Sequence, residues 1–367
     1  MELFRPAASS MSARRVAFTR SPIRLYQCLH TSSTQKATPL PLPTVSGPPP
    51  LPPQVSASQP EDRVARKRKQ AELLERGKSL RSNAAKPSSV LQKRFWKDAA
   101  VKETPDGLHI MLDTRPVRTA SKQVLALPKS KRALATGIAL EWDLLVSTQQ
   151  ALKQHYIPLT SLTSRAFDIQ IADSQSNNKI RDDLLQMLMR YLSTDTLLCW
   201  APEKNRHDPS QDTTREQNSA KTLREKQIET ARPIIAFLTT HVFPGVEIVP
   251  ILGEESILPT PQPEMTREIV RGWVAGLPAF ELAALERAVL ASKSLLVGIR
   301  LLVEWSWEYE HLRKEDAKER FGIEEAAEAC SVEVRYQTSM WGEVEDTHDV
   351  EKEDLRRQLG SVILLVT

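Results

Sequence analysis

The sequence predicts an α+β fold, in which an N-terminal antiparallel β-meander with helices is followed by a mainly α-helical C-terminal domain. Two observations predict this class. Between residues 92 and 127, short β-prone runs alternate with turn residues, and Pro105-Asp106-Gly107 is a strong turn signal. From Ser130 onward, apolar residues recur at helical spacing, and this pattern extends almost to the C terminus.

The N-terminal α+β domain is expected over residues 90–200. Its meander consists of short strands separated by turn residues, and three helices follow because Leu or Ile recurs on one face of each segment. A short apolar strand then ends the domain. The expected strands are Ala100–Thr104, Leu108–Leu112, Val117–Thr119, Val124–Leu127 and Leu197–Cys199, and the expected helices are Lys131–Leu145, Leu159–Ile171 and Ile180–Leu192.

The mainly helical C-terminal domain is expected over residues 221–367, after a polar surface insertion at 201–220. Its longest helical pattern runs from about Pro278 to Lys314, and the apolar stretch inside it is too short and too charged to span a bilayer. One strand is expected at Val246–Leu252, between Pro-Gly and Gly turn signals. The remaining expected elements are helices at Glu315–Glu328, Val332–Met340 and Val350–Leu359, and a terminal β-prone segment, GSVILLVT.

The first 30 residues are rich in Arg and Ser, and their only acid is Glu2. They also lack the continuous apolar core of a secretory signal. This composition predicts a mitochondrial transit peptide, and therefore a protein of the mitochondrial matrix. Residues 31–89 predict a disordered linker followed by a basic arm, because nine prolines fall between residues 39 and 60.

The net charge of +4 hides a strong asymmetry along the chain. Residues 1–102 carry 19 Lys or Arg side chains against six acids, whereas residues 103–367 carry 31 against 40. The folded part is therefore acidic, which argues against a nucleic-acid partner. The three cysteines have no CxxC spacing, so the sequence predicts neither a disulfide framework nor a Cys-based zinc site.

The stretch WGEVEDTHDVEKED, from Trp341 to Asp354, is the main candidate for chemistry. As the alternative function, a matrix metal-dependent hydrolase would use His348, Asp349 and nearby carboxylates. However, no histidine has a second one two to four positions away, and the chain contains no phosphate loop, GxSxG or HExxH motif. We therefore expect a structural stretch, with no metal, cofactor or catalytic residue. Trp341 would bury its ring, His348 would hydrogen-bond a backbone carbonyl or a neighbouring acid, and Asp349 would cap the next helix.

Seven segments of the chain, in order and at similar spacings, carry a resemblance to a known family. They are RFWKDAAV, LDTRPVRT, LPKSKRALATGIALEWD, IPLTSLTSRAFD, YLSTDTLLCW, the helix from Pro278 to Val303, and WGEVEDTHDVE. Over residues 92–367 the chain resembles the mitochondrial ATP synthase assembly factors that chaperone the alpha subunit of the catalytic head (the F-one sector). The resemblance implies no catalysis. It implies that the protein holds an unassembled alpha subunit until the beta subunit replaces it.

The resemblance also singles out one carboxylate for client binding, Glu286, which aligns with a glutamate important in the family. On physical grounds, an acid beside Leu285 and Val289, at the edge of an apolar face, can pair with a basic group on a partner. The alternative is a solvated side chain without a role. We further expect a monomer that is not an integral membrane protein. The residues expected to be structural, besides Trp341, His348 and Asp349, are Trp142, Asp143 and Asp195.

Overall fold

The computed structural model describes residues 93–202, 221–252, 259–312 and 320–367, together with Glu72. The chain from Lys86 to Thr367 forms one compact unit. The predicted transit peptide, the linker and basic arm (Glu72 apart) and most of the polar insertion lie outside the described residues. The domain boundaries expected near residues 200 and 221 stay a prediction.

Four strands form one antiparallel sheet in the described part of the chain. The central strand, β2, pairs with β1 along its whole length, with β3 at its end and with β4 at its start. Gly107 begins β2 at a φ of 136°, and a Cβ there would lie 2.3 Å from the Leu127 carbonyl oxygen, so the turn requires glycine. The predicted meander is confirmed, but the strand expected at Val117–Thr119 is reduced to one isolated bridge between Arg118 and Val124. The strands are Ala99–Thr104 (β1), Gly107–Leu112 (β2), Arg115–Pro116 (β3) and Ala126–Leu127 (β4).

Helices make up most of the remaining described residues, and the predicted mainly helical C-terminal region is confirmed. Short 3-10 turns lie at Gln150–Leu152, Thr196–Leu198 and Trp307–Leu312, and a π turn, Leu238–Val242, continues α4. The α-helices are Arg132–Leu144 (α1), Pro158–Ser174 (α2), Lys179–Ser193 (α3), Leu223–Phe237 (α4), Glu264–Ala275 (α5), Ala279–Ser292 (α6), Leu295–Trp305 (α7), Ile323–Cys330 (α8), Val332–Trp341 (α9) and His348–Val366 (α10).

The core centres on α6, which packs against α2, α7 and α10. At the crossing of α6 and α7, Gly298 brings the two backbones close, because a Cβ there would lie only 3.1 Å from Val289 and 3.2 Å from Leu285. At the other end of the unit, α1 covers the sheet and buries Leu134 and Ile138 against it. The sheet and the helical layers therefore share one continuous core.

The helix predicted from Pro278 to Lys314 is interrupted in the structure. Lys293 adopts a left-handed backbone, with φ 59°, and ends α6. The Ser294 hydroxyl then accepts a hydrogen bond from the Val297 N–H (3.1 Å) and starts α7. Serine side chains compete for backbone groups in this way, which is why the uniform apolar pattern gave no sign of the break.

Two predicted strands are wrong for a similar reason, because side chains satisfy the backbone where strand pairing was expected. At Val246–Leu252, the Gln262 amide bonds both the N–H (3.1 Å) and the carbonyl (2.6 Å) of Val249, and no strand forms. At Leu197–Cys199, the Asp195 carboxylate accepts from the Leu197 N–H (3.0 Å) and caps a 3-10 turn instead.

The β-prone C-terminal segment GSVILLVT is also helical, since α10 runs on to Val366. Its residues Leu359, Val362 and Leu365 are fully buried, and α10 packs along α6. Burial of one apolar helical face outweighs the weak β propensity of the segment.

Candidate client-binding site

A groove crosses the surface where the α1–α2 connection, α2 and α6 meet. Its central cavity has a volume of about 860 Å³. A cavity of about 460 Å³ shares Trp142 and Leu152 with it and reaches Phe95, and one of about 470 Å³ shares Arg287 and reaches Arg357. The central cavity shares lining residues with each of the other two, and we call the three cavities together the trough. Its lining also includes Arg165, Glu286 and Leu290.

The N-terminus of α2 is held against the end of α1 by a half-buried carboxylate. Glu141 accepts hydrogen bonds from the N–H groups of Leu159 (2.6 Å) and Thr160 (3.0 Å), and it also accepts from the Thr160 hydroxyl (3.0 Å). Burial raises the pKa of Glu141, although these hydrogen bonds oppose the shift. The carboxylate therefore acts as an N-cap supplied by another helix and fixes one wall of the trough.

Trp142 is positioned by two hydrogen bonds. Its indole Nε1 donates to the Thr160 hydroxyl (3.0 Å), and its carbonyl accepts from Nε1 of Trp96 (3.1 Å). The two indole rings meet edge-on at 5.4 Å. Trp142 packs against the core but stays half-buried, so its ring both belongs to the core and lines the trough. The neighbouring Asp143 pairs with Arg94 at 3.5 Å.

Glu286 lies on the opposite wall and holds Arg165 through a two-point ion pair. The Arg165 guanidinium donates to both carboxylate oxygens, at 2.9 and 3.2 Å. The Glu286 side chain is 18 % exposed and the Arg165 side chain 37 % exposed. The pair joins α2 to α6 within the trough, between residues 121 positions apart in the chain.

The rim of the trough exposes large apolar side chains. Phe95 is 56 % exposed and Leu152 is 76 % exposed, and Leu290 is exposed at the α6 side. Leu144, Val146 and Tyr156 add exposed apolar surface along the same connection. A concentration of apolar groups beside a groove is typical of a binding surface.

Asp195 lies away from the trough and is fully buried. Its two carboxylate oxygens accept from the N–H groups of Leu197 (3.0 Å) and Leu296 (3.0 Å), so it joins the turn after α3 to the first turn of α7. Burial raises its pKa to about 6, although these hydrogen bonds lower it.

The acidic stretch near the C terminus matches its predicted structure only in part. The expected burial of Trp341 is wrong, because its side chain is 64 % exposed. The His348 ring makes a hydrogen bond, but as an acceptor: Nδ1 receives the Val344 N–H (3.0 Å). Asp349 does not cap α10, since the helix already begins at His348 and the carboxylate lies within its first turn.

Nothing in this stretch supports the hydrolase alternative. Among the residues with described positions, no three His, Cys, Asp or Glu side chains are grouped so that they could hold a metal ion. The His348 nitrogen that accepts from Val344 is already committed within its own loop. Across all the residues that the structure describes, no helix is long and apolar enough to cross a membrane.

The comparisons with known proteins agree on one family. Residues 93–239 match the family described as ATP12 chaperone protein. The mitochondrial atp12 protein of Schizosaccharomyces pombe is 33 % identical over 273 residues, which is 74 % of this chain and 81 % of that protein. The chain belongs to the ATP12 chaperone family. The predicted family resemblance is therefore confirmed, and the protein is a mitochondrial chaperone rather than an enzyme.

Further relatives agree. The mitochondrial ATP12 protein of Saccharomyces cerevisiae is 29 % identical over 296 residues, or 75 % of this chain and 84 % of that protein. The crystal structure of Atp12 from Paracoccus denitrificans covers 75 % of this chain and 97 % of its own, with a TM-score of 0.52 and 23 % identity. That of Atu1473 from Agrobacterium tumefaciens, a putative chaperone by its description, has a TM-score of 0.51 and 22 % identity, and covers 75 % and 85 % of the two chains. These structures share the fold.

Sequence reasoning located Glu286 and Trp142 but missed the surface that contains them. Arg165 and Arg287 carry no local signal, because each is one arginine on an amphipathic helix. Leu152 lies in the α1–α2 connection. An apolar residue outside any periodic pattern, as Leu152 is, was the sequence signal for an exposed apolar side chain at this surface.

Proposed function

We propose that the protein binds the unassembled alpha subunit of the mitochondrial ATP synthase catalytic head in the matrix, and shields its apolar interface until the beta subunit replaces it. The observation that carries this proposal is membership of the ATP12 chaperone family, whose two yeast members named above are mitochondrial. The alpha subunit as client rests on the resemblance of the seven segments over residues 92–367.

The physical requirement for such a chaperone is simple. Subunits of obligate assemblies bury large apolar faces against their neighbours. Before assembly those faces are exposed and prone to self-association. A chaperone must cover them, yet more weakly than the completed ring does, so that exchange for the beta subunit is favourable. Binding alone meets this requirement, with no cofactor, and a monomer suffices.

The trough is the surface that we assign to the client. Its rim offers Phe95 and Leu152 to apolar side chains, and its wall offers the Glu286 carboxylate. A carboxylate has about four lone-pair positions. Arg165 occupies two of them, and those that remain can accept a basic group of the alpha subunit. Glu286 therefore has a structural and a client-binding role in this proposal.

Co-expression tests the proposal directly. The alpha subunit of the same organism is produced in bacteria without the beta subunit, alone or with the full chain, and the soluble alpha subunit is quantified after centrifugation. We expect the full chain to keep alpha soluble and to co-purify with it, and added beta subunit to displace the chain. Insoluble alpha in both cultures, with no co-purification, contradicts the proposed function.

A further inference from the structure

The charges of the trough are unbalanced around Arg287. In the central cavity and the one beside Arg357, four arginines face three carboxylates. Two of the acids already have arginine partners: Glu286 pairs with Arg165, and Asp354 pairs with Arg357. The lining charges are Arg118, Arg165, Arg287 and Arg357 against Asp168, Glu286 and Asp354.

Arg287 is the half-buried cation without a partner of its own. Within the described ranges, no hydrogen bond or ion pair reaches its guanidinium, which lines both cavities from the outer face of α6. Burial lowers the pKa of this guanidinium, and Glu286 and Asp354 offset that effect at a distance. A half-buried cation with no direct partner loses part of its hydration without gaining a hydrogen bond, so its position favours an anionic group supplied from outside.

Apolar surface lies within the same groove. Trp142 and Leu152 line both the central cavity and the one next to Phe95, while Leu290 lies one helical turn beyond Arg287. A segment in the trough can thus place apolar side chains on one stretch and a negative charge on the next. Because the lining residues extend from Phe95 through Arg287 to Arg357 over three cavities, an extended chain can contact more of them than a compact ligand can.

We propose that the trough takes an extended segment of the client, in which a carboxylate pairs with Arg287 and an adjacent apolar side chain packs against Trp142 and Leu152. This inference rests on the proposed function, since the client is the alpha subunit. It goes further in stating what the recognised segment contains. Arg287 is then a residue that determines which segment is chosen, whereas Glu286 accepts a basic group nearby.

The test compares the full chain with its variants Arg287→Gln and Arg287→Glu, using unassembled alpha subunit as the probe. Arg271→Glu is the matched control, because Arg271 is exposed on α5 and does not line the trough. We expect Arg287→Gln to weaken alpha binding about tenfold and Arg287→Glu to weaken it more, while the control binds as wild type. A fourth variant, Arg287→Met, should melt no lower than wild type yet bind alpha poorly, because the cation is costly in the free protein.

A charge exchange then identifies the segment. Overlapping peptides that cover the alpha sequence are tested for binding to the wild-type chain, and each acid of a binding peptide is replaced by lysine. If a peptide with one such lysine binds Arg287→Glu as well as the original peptide binds wild type, the proposal is supported. If the wild-type chain and Arg287→Glu retain equal amounts of alpha, this inference is wrong while the proposed function stands. If the substitution instead changes the oligomeric state of the chain, the occupant is a second copy and the inference is overturned. If wild type retains no alpha at all, the proposed function fails and the inference falls with it.

Discussion

Exchanging the two partners of the Arg165–Glu286 ion pair separates a structural role of Glu286 from a client-binding role. In the free protein the carboxylate accepts two charge-assisted hydrogen bonds, at 2.9 and 3.2 Å, and both side chains lie partly out of water. Removal of the acid leaves Arg165 without its carboxylate partner, in a cavity that Arg287 also lines. The substitutions to compare are Glu286→Gln, Glu286→Lys and the double exchange Arg165→Glu with Glu286→Arg.

The magnitudes follow from the partial exposure of the pair. Because Arg165 is 37 % exposed, solvent screens the interaction, and we expect Glu286→Gln to lower the free energy of unfolding by about 1 kcal/mol. The like charges created by Glu286→Lys should raise the loss to about 2 kcal/mol. The double exchange keeps the same two groups in contact with reversed polarity, so it should recover most of this loss.

The assay measures stability and client capture on the same variants. Chemical denaturation gives the free energy of unfolding, and retention of soluble alpha subunit gives capture. We expect the double exchange to restore stability but not capture, because the client would then face an arginine where it needs a carboxylate. Glu268→Lys, on the exposed face of α5, controls for the change in net charge. Full recovery of capture by the double exchange would refute the reasoning and leave Glu286 a purely structural residue.

Four further predictions concern single features of the chain. The pKa of Asp195 is raised from 3.8 to about 6, so wild type should lose about 2 kcal/mol of stability relative to Asp195→Asn as the pH rises from 4 to 7. The free energies of unfolding of the two proteins are measured across this range, and an equal dependence on pH contradicts the prediction. Trp142→Ala should cost about 3 kcal/mol through lost packing and a lost hydrogen bond, seen as a lower melting temperature. His348→Ala should lower stability by about 1 kcal/mol by freeing the Val344 N–H, with no metal detected by elemental analysis in either protein. Deletion of residues 1–30 should leave the protein in the cytosol, and recovery of the truncated protein in isolated matrix would show that the address lies elsewhere.

The elements that sequence patterns predicted well are those whose structure depends on neighbouring residues. Helix α1 covers nearly the range expected from Lys131 to Leu145, because one apolar face and its turn signals lie within that range. The turn at Gly107 was also predictable, because its signal lies in the neighbouring residues Pro105 and Asp106. The failures at Ser294 and Gln262 arose where one polar side chain bonded the backbone and changed its path. Such bonds leave no periodic signal.

The candidate site shows the same division. The seven segments and the apolar face around Glu286 were sufficient to predict the family and to single out this residue, since both are properties of linear order. Its partner, Arg165, was not predictable, because the two side chains meet only when α2 packs on α6. Burial of Trp341 was predicted and is wrong, since the size of an aromatic ring does not determine whether another element covers it.

The sequence by itself determined the fold class, the family and the order of the helices, because hydrophobic period and turn chemistry act over a few residues at a time. The tertiary structure alone decided which charges meet, which apolar side chains stay exposed at the trough, and that Arg287 is left without a partner. The physical reason is distance along the chain. The Arg165–Glu286 pair joins residues 121 positions apart in the chain, and such a contact exists only after the helices have packed.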